Sequence, residues 1–195
     1  MLNLIMNKII SLLVVFSILL CTCSDSNLPK QTAFLRIEFP EPKYFAFKDT
    51  AHPIDFYYNA SAVEIKTENS NQLSLTYPKI NFSVDLSIQK LNNSQDFDDN
   101  FSDFSLLLDT HSKKSNGVLM REYEDLNNRV FSKIYEISGG VASPIQFYIT
   151  DSTSNFIKGS LNLKFKSNYD SIFPSIQYVK NDIFILVESL NWRSK

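Results

Sequence analysis

The only two cysteines of this 195-residue chain stand together in Cys21-Thr22-Cys23, and nothing after them can form a disulfide. They close a leader in which Lys8 is the only charge before Asp25 and residues 9–20 are mostly apolar. A positive start, a short apolar run and a cysteine at the cleavage region read as an export signal of the lipoprotein kind. The run is too short to span a bilayer as a helix. Such processing wants a Leu-like residue three before the cysteine and a small one directly before it. Cys23 has Leu20 and Thr22 in those places, whereas bulky Leu20 directly precedes Cys21. Cys23 is therefore the expected site of lipid attachment, ahead of Cys21. Met6-Asn7-Lys8 would open an equally compact signal.

This leader constrains everything downstream. Each buried methylene contributes about 0.8 kcal/mol, so one acyl chain binds reversibly while two or three moor a protein almost permanently. With Cys21 removed and Cys23 acylated, an exported domain must be held by its core alone. The expected division is a signal over 1–22, a lipidated tether over 23–33 containing Pro29, and one domain over 34–195. Cutting the leader removes Lys8 and takes the net charge from −2 to −3. So mild a balance offers no basic surface to nucleic acid or anionic lipid, and membrane contact is left to the anchor.

Sixteen Phe and nine Tyr against four Gly favour a sheet-rich domain with long strands. Strands are expected over 35–39, 54–58, 63–66, 73–77 and 80–88. The last alternates cleanly: Ile80, Phe82, Val84, Leu86 and Ile88 on a core face, with Asn81, Ser83, Asp85 and Ser87 on a wet one. A helix capped by Ser94 follows, with Asp96, Asp98 and Asp99 in its first turn and Phe97, Phe101, Phe104 and Leu108 at helical spacing. Lys113 and Lys114 suit its negative end, and Gly117 can end it. Further strands are expected over 118–126, 130–138, 145–150 and 156–165, the first two joined through Asn127-Asn128. A second helix opens at Asp170-Ser171 and buries Ile172, Ile176, Val179, Ile183, Leu186 and Leu190; Trp192 packs at the end. The expected fold is α+β: one domain, a mainly antiparallel sheet carrying two amphipathic helices.

Catalytic chemistry is thinly represented. His52 precedes Pro53 in a turn and His111 falls near a helix end, which argues against a metal cluster. The run Asp96-Phe97-Asp98-Asp99-Asn100 lacks the glycine and closing Glu of a calcium loop. Gly139-Gly140 has no following helix or Lys-Ser/Thr pair to cradle phosphate, and reads as a strained loop. Ser143 or Ser152 with His111 would make a hydrolase, yet no GxSxG is present. Asp49-Thr50, Asp151-Ser152 and Asp170-Ser171 fit a short O-glycosylation pattern, and equally fit turns and helix caps.

The order of several segments carries a resemblance. They are Phe34-Leu35-Arg36-Ile37-Glu38-Phe39-Pro40 with Tyr44, then Tyr77-Pro78-Lys79, then Tyr135-Glu136-Ile137-Ser138-Gly139-Gly140-Val141-Ala142-Ser143. Gln146-Phe147, Thr150-Asp151-Ser152, Phe156-Ile157-Lys158-Gly159 and Asn168-Tyr169-Asp170-Ser171 follow, with Pro174, Asp182 and Glu188. Together they resemble the gliding-motility lipoprotein GldD of the Bacteroidetes over essentially the whole mature domain. The chain departs from that pattern at His52 and Asn71, where members often carry cysteines, at Asn155 (often His) and at Lys158 (often Arg).

The resemblance implies a non-catalytic scaffold needed for gliding and for type IX secretion, with other gliding lipoproteins as partners, notably GldJ, which it would keep stable. It implies no cofactor beyond the covalent acyl lipid on the N-terminal cysteine. The expected place is the outer membrane, facing the periplasm. The candidate partner-contact surface is Gly139, Gly140, Ser143, Gln146, Thr150, Asp151 and Ser152, residues that equally suit a structural role in turns. The alternative is a periplasmic small-ligand binding or carrier lipoprotein, with its cleft between a concave sheet and the helices.

Overall fold

The computed structural model describes residues 6–8, 38–164 and 169–193. Residues 6–8 are helical. Cys21, Cys23, the tether, the expected strand residues 35–37 and the end of the signal lie outside the described residues. Glu38 and Phe39, which are described, are not in a strand.

The alternating segment becomes a central strand of a seven-stranded antiparallel sheet. Its strands are β3 (Glu64–Asn69), β4 (Gln72–Tyr77), β5 (Phe82–Lys90), β6 (Gly117–Asp125), β7 (Val130–Ser138), β8 (Ile145–Thr150) and β9 (Asn155–Leu163). Across the sheet they run β3-β4-β5-β9-β8-β7-β6, so two meanders join where β5 pairs with β9 from Phe82↔Leu163 to Lys90↔Asn155. A second sheet, β1-β2-β10, is formed by β1 (Tyr44–Lys48), β2 (Ile54–Asn59) and β10 (Asn191–Trp192). With helices α1 (Ser94–Ser112) and α2 (Tyr169–Glu188), the fold is α+β.

Because side chains alternate along a strand, the large sheet has two distinct faces. One carries Leu73, Leu75, Val84, Leu86, Ile145, Phe147, Ile149, Ile157 and Leu161, each at most 3% exposed. Ile172, Ile176, Val179, Ile183 and Leu186 of α2 join them in one core, as do Phe47, Ile54 and Phe56 of the small sheet. Leu190, the last residue of the expected stripe, is buried just past the helix.

The other face receives α1 through aromatic rings. Phe97 meets Phe156 edge-on at 5.6 Å, Phe104 meets Tyr148 at 5.4 Å and Tyr135 at 5.7 Å, and Tyr148 stacks on Phe156 at 5.4 Å. Such pairs contribute about 0.5–1.5 kcal/mol each beyond their burial. The aromatic abundance is thus spent largely on packing, and the helices lie on opposite faces rather than roofing one cleft.

Local details differ from the sequence reading for identifiable reasons. The cap of α1 is Asn93, not Ser94: Asn93 Oδ1 accepts from the Asp96 amide (3.0 Å) while Asp96 Oδ2 accepts from the Asn92 amide (2.8 Å). Gly117 opens β6 rather than ending α1, whose C-cap is Lys113. In the β6–β7 turn the left-handed residue is Arg129 (φ 52°). Asp125 accepts the Asn127 and Asn128 amides instead. The supposedly wet face of β5 is partly covered: Ser83 is buried, and Asp85 and Ser87 are half-buried.

On the core face the Phe147 ring lies directly over Gly159, its register partner on β9, so a Cβ at Gly159 would collide with the ring. Phe147 is fully buried and cannot swing out. Gly159→Ala is expected to destabilise the domain by about 2–3 kcal/mol, and adding Phe147→Leu should restore part of that. Urea unfolding of the single and double variants measures both.

Candidate functional site

Three of the residues that carry the family resemblance, Tyr44, Tyr77 and Asp182, meet at one buried carboxylate. Asp182, on α2, is 5% exposed and accepts from Tyr44 Oη on β1 (2.7 Å), Tyr77 Oη on β4 (3.1 Å) and Asn59 Nδ2 on β2 (3.2 Å). Asn59 also donates to Tyr178 Oη (2.8 Å), and its own carbonyl accepts the Lys43 and Ser61 amides. Tyr178 in turn donates to the Pro40 carbonyl (3.1 Å), and its ring stacks on Phe39 at 4.4 Å. Burial raises the Asp182 carboxyl above the usual range, against the pull of its three donors. Burial and then the Asp182 carboxylate push the Tyr44 and Tyr77 phenols well above theirs.

The seven residues of the expected contact surface do not form one surface. Gly139, Gly140 and Ser143 lie before β8, Gln146 lies within it, and Thr150, Asp151 and Ser152 lie at its other end. Gly139, Ser143, Gln146, Thr150 and Asp151 are buried; only Gly140 and Ser152 are exposed.

Each end is held internally. At the first, Gly139 takes φ 106°, a conformation that favours glycine, with Asn116 packed against it. The Leu163 amide donates to the Ala142 carbonyl and the Ser143 hydroxyl donates to the Ile145 carbonyl. At the second, Asp151 Oδ1 accepts the amides of Thr153 (2.9 Å), Ser154 (2.7 Å) and Asn155 (2.9 Å), and Ser152 is left-handed (φ 63°). Burial alone would raise the Asp151 pKa, but these amides outweigh it and hold the carboxyl low. Gln146 is 1% exposed, and both its amide atoms lack a hydrogen-bond partner among the described residues.

His52 is more than a turn residue. It is 1% exposed, its ring nitrogens 3.0 Å from Asp49 Oδ2 and 3.1 Å from the Asn69 carbonyl oxygen. His52 and Asn71, the positions where the resemblance expects cysteines, line one cavity of about 300 Å³. Here a buried imidazole links the β1–β2 and β3–β4 turns. His111 stands in the last turn of α1.

The exposed apolar side chains have a clear focus. Val118, Leu119 and Met120 on β6 are 43%, 53% and 44% exposed, and β6 is an edge strand paired only with β7. Its first residue, Gly117, pairs with Ser138, two residues before the exposed Gly140, and the strand runs on from there along β7.

No helix among the described residues is long and apolar enough to cross a membrane. Residues 24–192 match a family model described as gliding motility lipoprotein GldD, which sets the class as a lipoprotein of gliding motility. The chain belongs to the GldD family. No curated protein matches it.

The raised Asp182 pKa fixes a sign. Between the unfolded and folded pKa values the native state binds more protons than the unfolded one, so stability falls as pH rises through that window. Asp151 acts oppositely: the stability it contributes is lost as pH falls through its lowered pKa. Asp182→Asn is expected to remove the first slope and Asp151→Asn the second. Unfolding free energies across the acid range should separate the two.

Proposed function

We propose that this protein is anchored through acylated Cys23 to the outer membrane and faces the periplasm. There it acts as a non-catalytic scaffold required for gliding and type IX secretion, stabilising a partner lipoprotein of the GldJ kind. The family match over residues 24–192 carries this reading. The chemistry of the domain supports it: Ser143, one of the two candidate hydrolase serines, is engaged in holding a loop, as are Asp151 and His52. The contact surface shifts accordingly. Of the expected residues Gly140 and Ser152 remain available, and the β6 edge with Val118, Leu119 and Met120 extends the Gly140 end. An exposed edge strand with apolar side chains offers both backbone pairing and burial to a partner lipoprotein.

Two measurements bear on it. Mass spectrometry of natively produced protein should find acyl mass on Cys23, and Cys23→Ser should release the domain from the membrane fraction; an unmodified thiol at Cys23 removes the anchor. In cells lacking the gene, spreading, secretion and the level of the GldJ-type partner should all fall. Leu119→Lys with Met120→Glu should leave stability within about 0.5 kcal/mol, as exposed substitutions do, yet fail to restore the partner's level. Full restoration by that variant would move the contact elsewhere.

A further inference from the structure

The face of the sheet opposite the main core is not uniformly covered by α1. Beside the helix, above β4, β5 and β9, lies a groove of about 500 Å³ with Gln146 among its lining residues. Its size is that of sites for small ligands. The Gln146 carboxamide is buried with neither atom paired among the described residues. A buried unpaired polar group is destabilising, and a molecule in the groove that both donates and accepts hydrogen bonds relieves it.

Two of the groove's acidic groups are engaged within the protein, while Lys164, exposed on its lining, has no ion pair among the described residues. Asp85 accepts from Ser74 Oγ (2.6 Å), Asn162 Nδ2 (2.7 Å) and Ser83 Oγ (3.2 Å), so its carboxylate is turned into the protein's own donors. Lys158 Nζ lies 3.5 Å from Asp103 Oδ2. What is left for a ligand is the Gln146 amide, the hydroxyls of Ser87 and Ser160, and the Lys164 ammonium. These hydroxyls accept from Gln89 and Asn162 and keep an O–H to donate. Leu107 of α1, 48% exposed, gives the wall an apolar contact. Donors and acceptors beside an apolar wall match a sugar ring. Its hydroxyls give and take hydrogen bonds while its C–H faces contact aliphatic carbon.

We propose that this groove binds a saccharide of about one or two rings, with Gln146 as the residue that recognises its hydroxyls. The site lies apart from the β6 edge and adds a ligand to the scaffold. Free sugars and the ends of envelope polysaccharides share this chemistry.

Saturation-transfer NMR on the full lipidated protein in detergent tests it. Glucose, galactose, mannose, N-acetylglucosamine and maltose form the free-sugar arm, and dextran and mannan form the polymer arm. At least one probe should receive saturation, a response confined to polymers pointing to glycan ends. Gln146→Leu should weaken that binding at least about tenfold, or about 1.4 kcal/mol. It should leave the unfolding temperature unchanged or raised, since it removes an unpaired amide. Ser87→Leu, which fills the groove from a half-buried position, should abolish binding and carries the test if Gln146→Leu does not accumulate. Silence from every probe, or wild-type affinity in Ser87→Leu or in folded Gln146→Leu, overturns the proposal.

Discussion

A buried carboxylate is costly unless donors replace its water, and Asp182 is given donors from three different strands. That arrangement ties α2, β1, β2 and β4 to one point. The two sheets share no strand pairing among the described residues, so their union rests on the common apolar core and on side-chain links such as this polar knot and the His52 contact with the Asn69 carbonyl. Removing one donor leaves the others short of a partner; removing the carboxylate strands two phenols and an amide. With no cysteine after Cys23, hydrogen bonds of this sort do the cross-linking that a disulfide does in many exported domains.

Most of the architecture was legible in the sequence because it follows from periodicity. The β5 alternation and the six-residue stripe of α2 need only one face to be buried, and both faces are found where expected. The errors fall where tertiary context decides. β1 has a single buried side chain, Phe47, between exposed neighbours and close after Pro40 and Pro42, so it carries no pattern of its own; pairing with β2 makes it a strand. Asn93 and Ser94 have the same capping chemistry, and only geometry chooses between them. The side of the sheet on which α1 lies cannot be read from an amphipathic stripe. The contact surface was drawn along a sequence segment, while a strand separates that segment's ends in space. Asp182, Tyr44 and Tyr77 were visible as parts of a resemblance, but nothing in their spacing announced that they meet.

The sheet divides its labour by face. Its apolar face is closely packed where Gly159 has no room for a methyl beneath Phe147. Its other face is half aromatic, under α1, and half polar, where Ser74, Ser83, Asp85, Ser160 and Asn162 bond to one another. Polar side chains on a solvated strand face need no mutual bonds. Their organisation around Asp85, next to an amide left unpaired, is what separates a groove from an ordinary wet surface.

Anchoring gives the Asp182 network a mechanical meaning. A lipid at Cys23 would hold the chain by its amino-terminal end, so any force between membrane and domain enters along the backbone ahead of residue 38. Just past residue 38 the Phe39 ring stacks on Tyr178 and the Pro40 carbonyl accepts from the same tyrosine's hydroxyl. From there bonds run through Asn59 to Asp182 and so into α2 and the sheet. Load is therefore passed early to a packed helix rather than to the edge strand β1, whose pairing with β2 a pull from its leading end would open pair by pair. In a lipoprotein of gliding motility, a knot between the entry segment and the longest helix resists that peeling without a covalent tie.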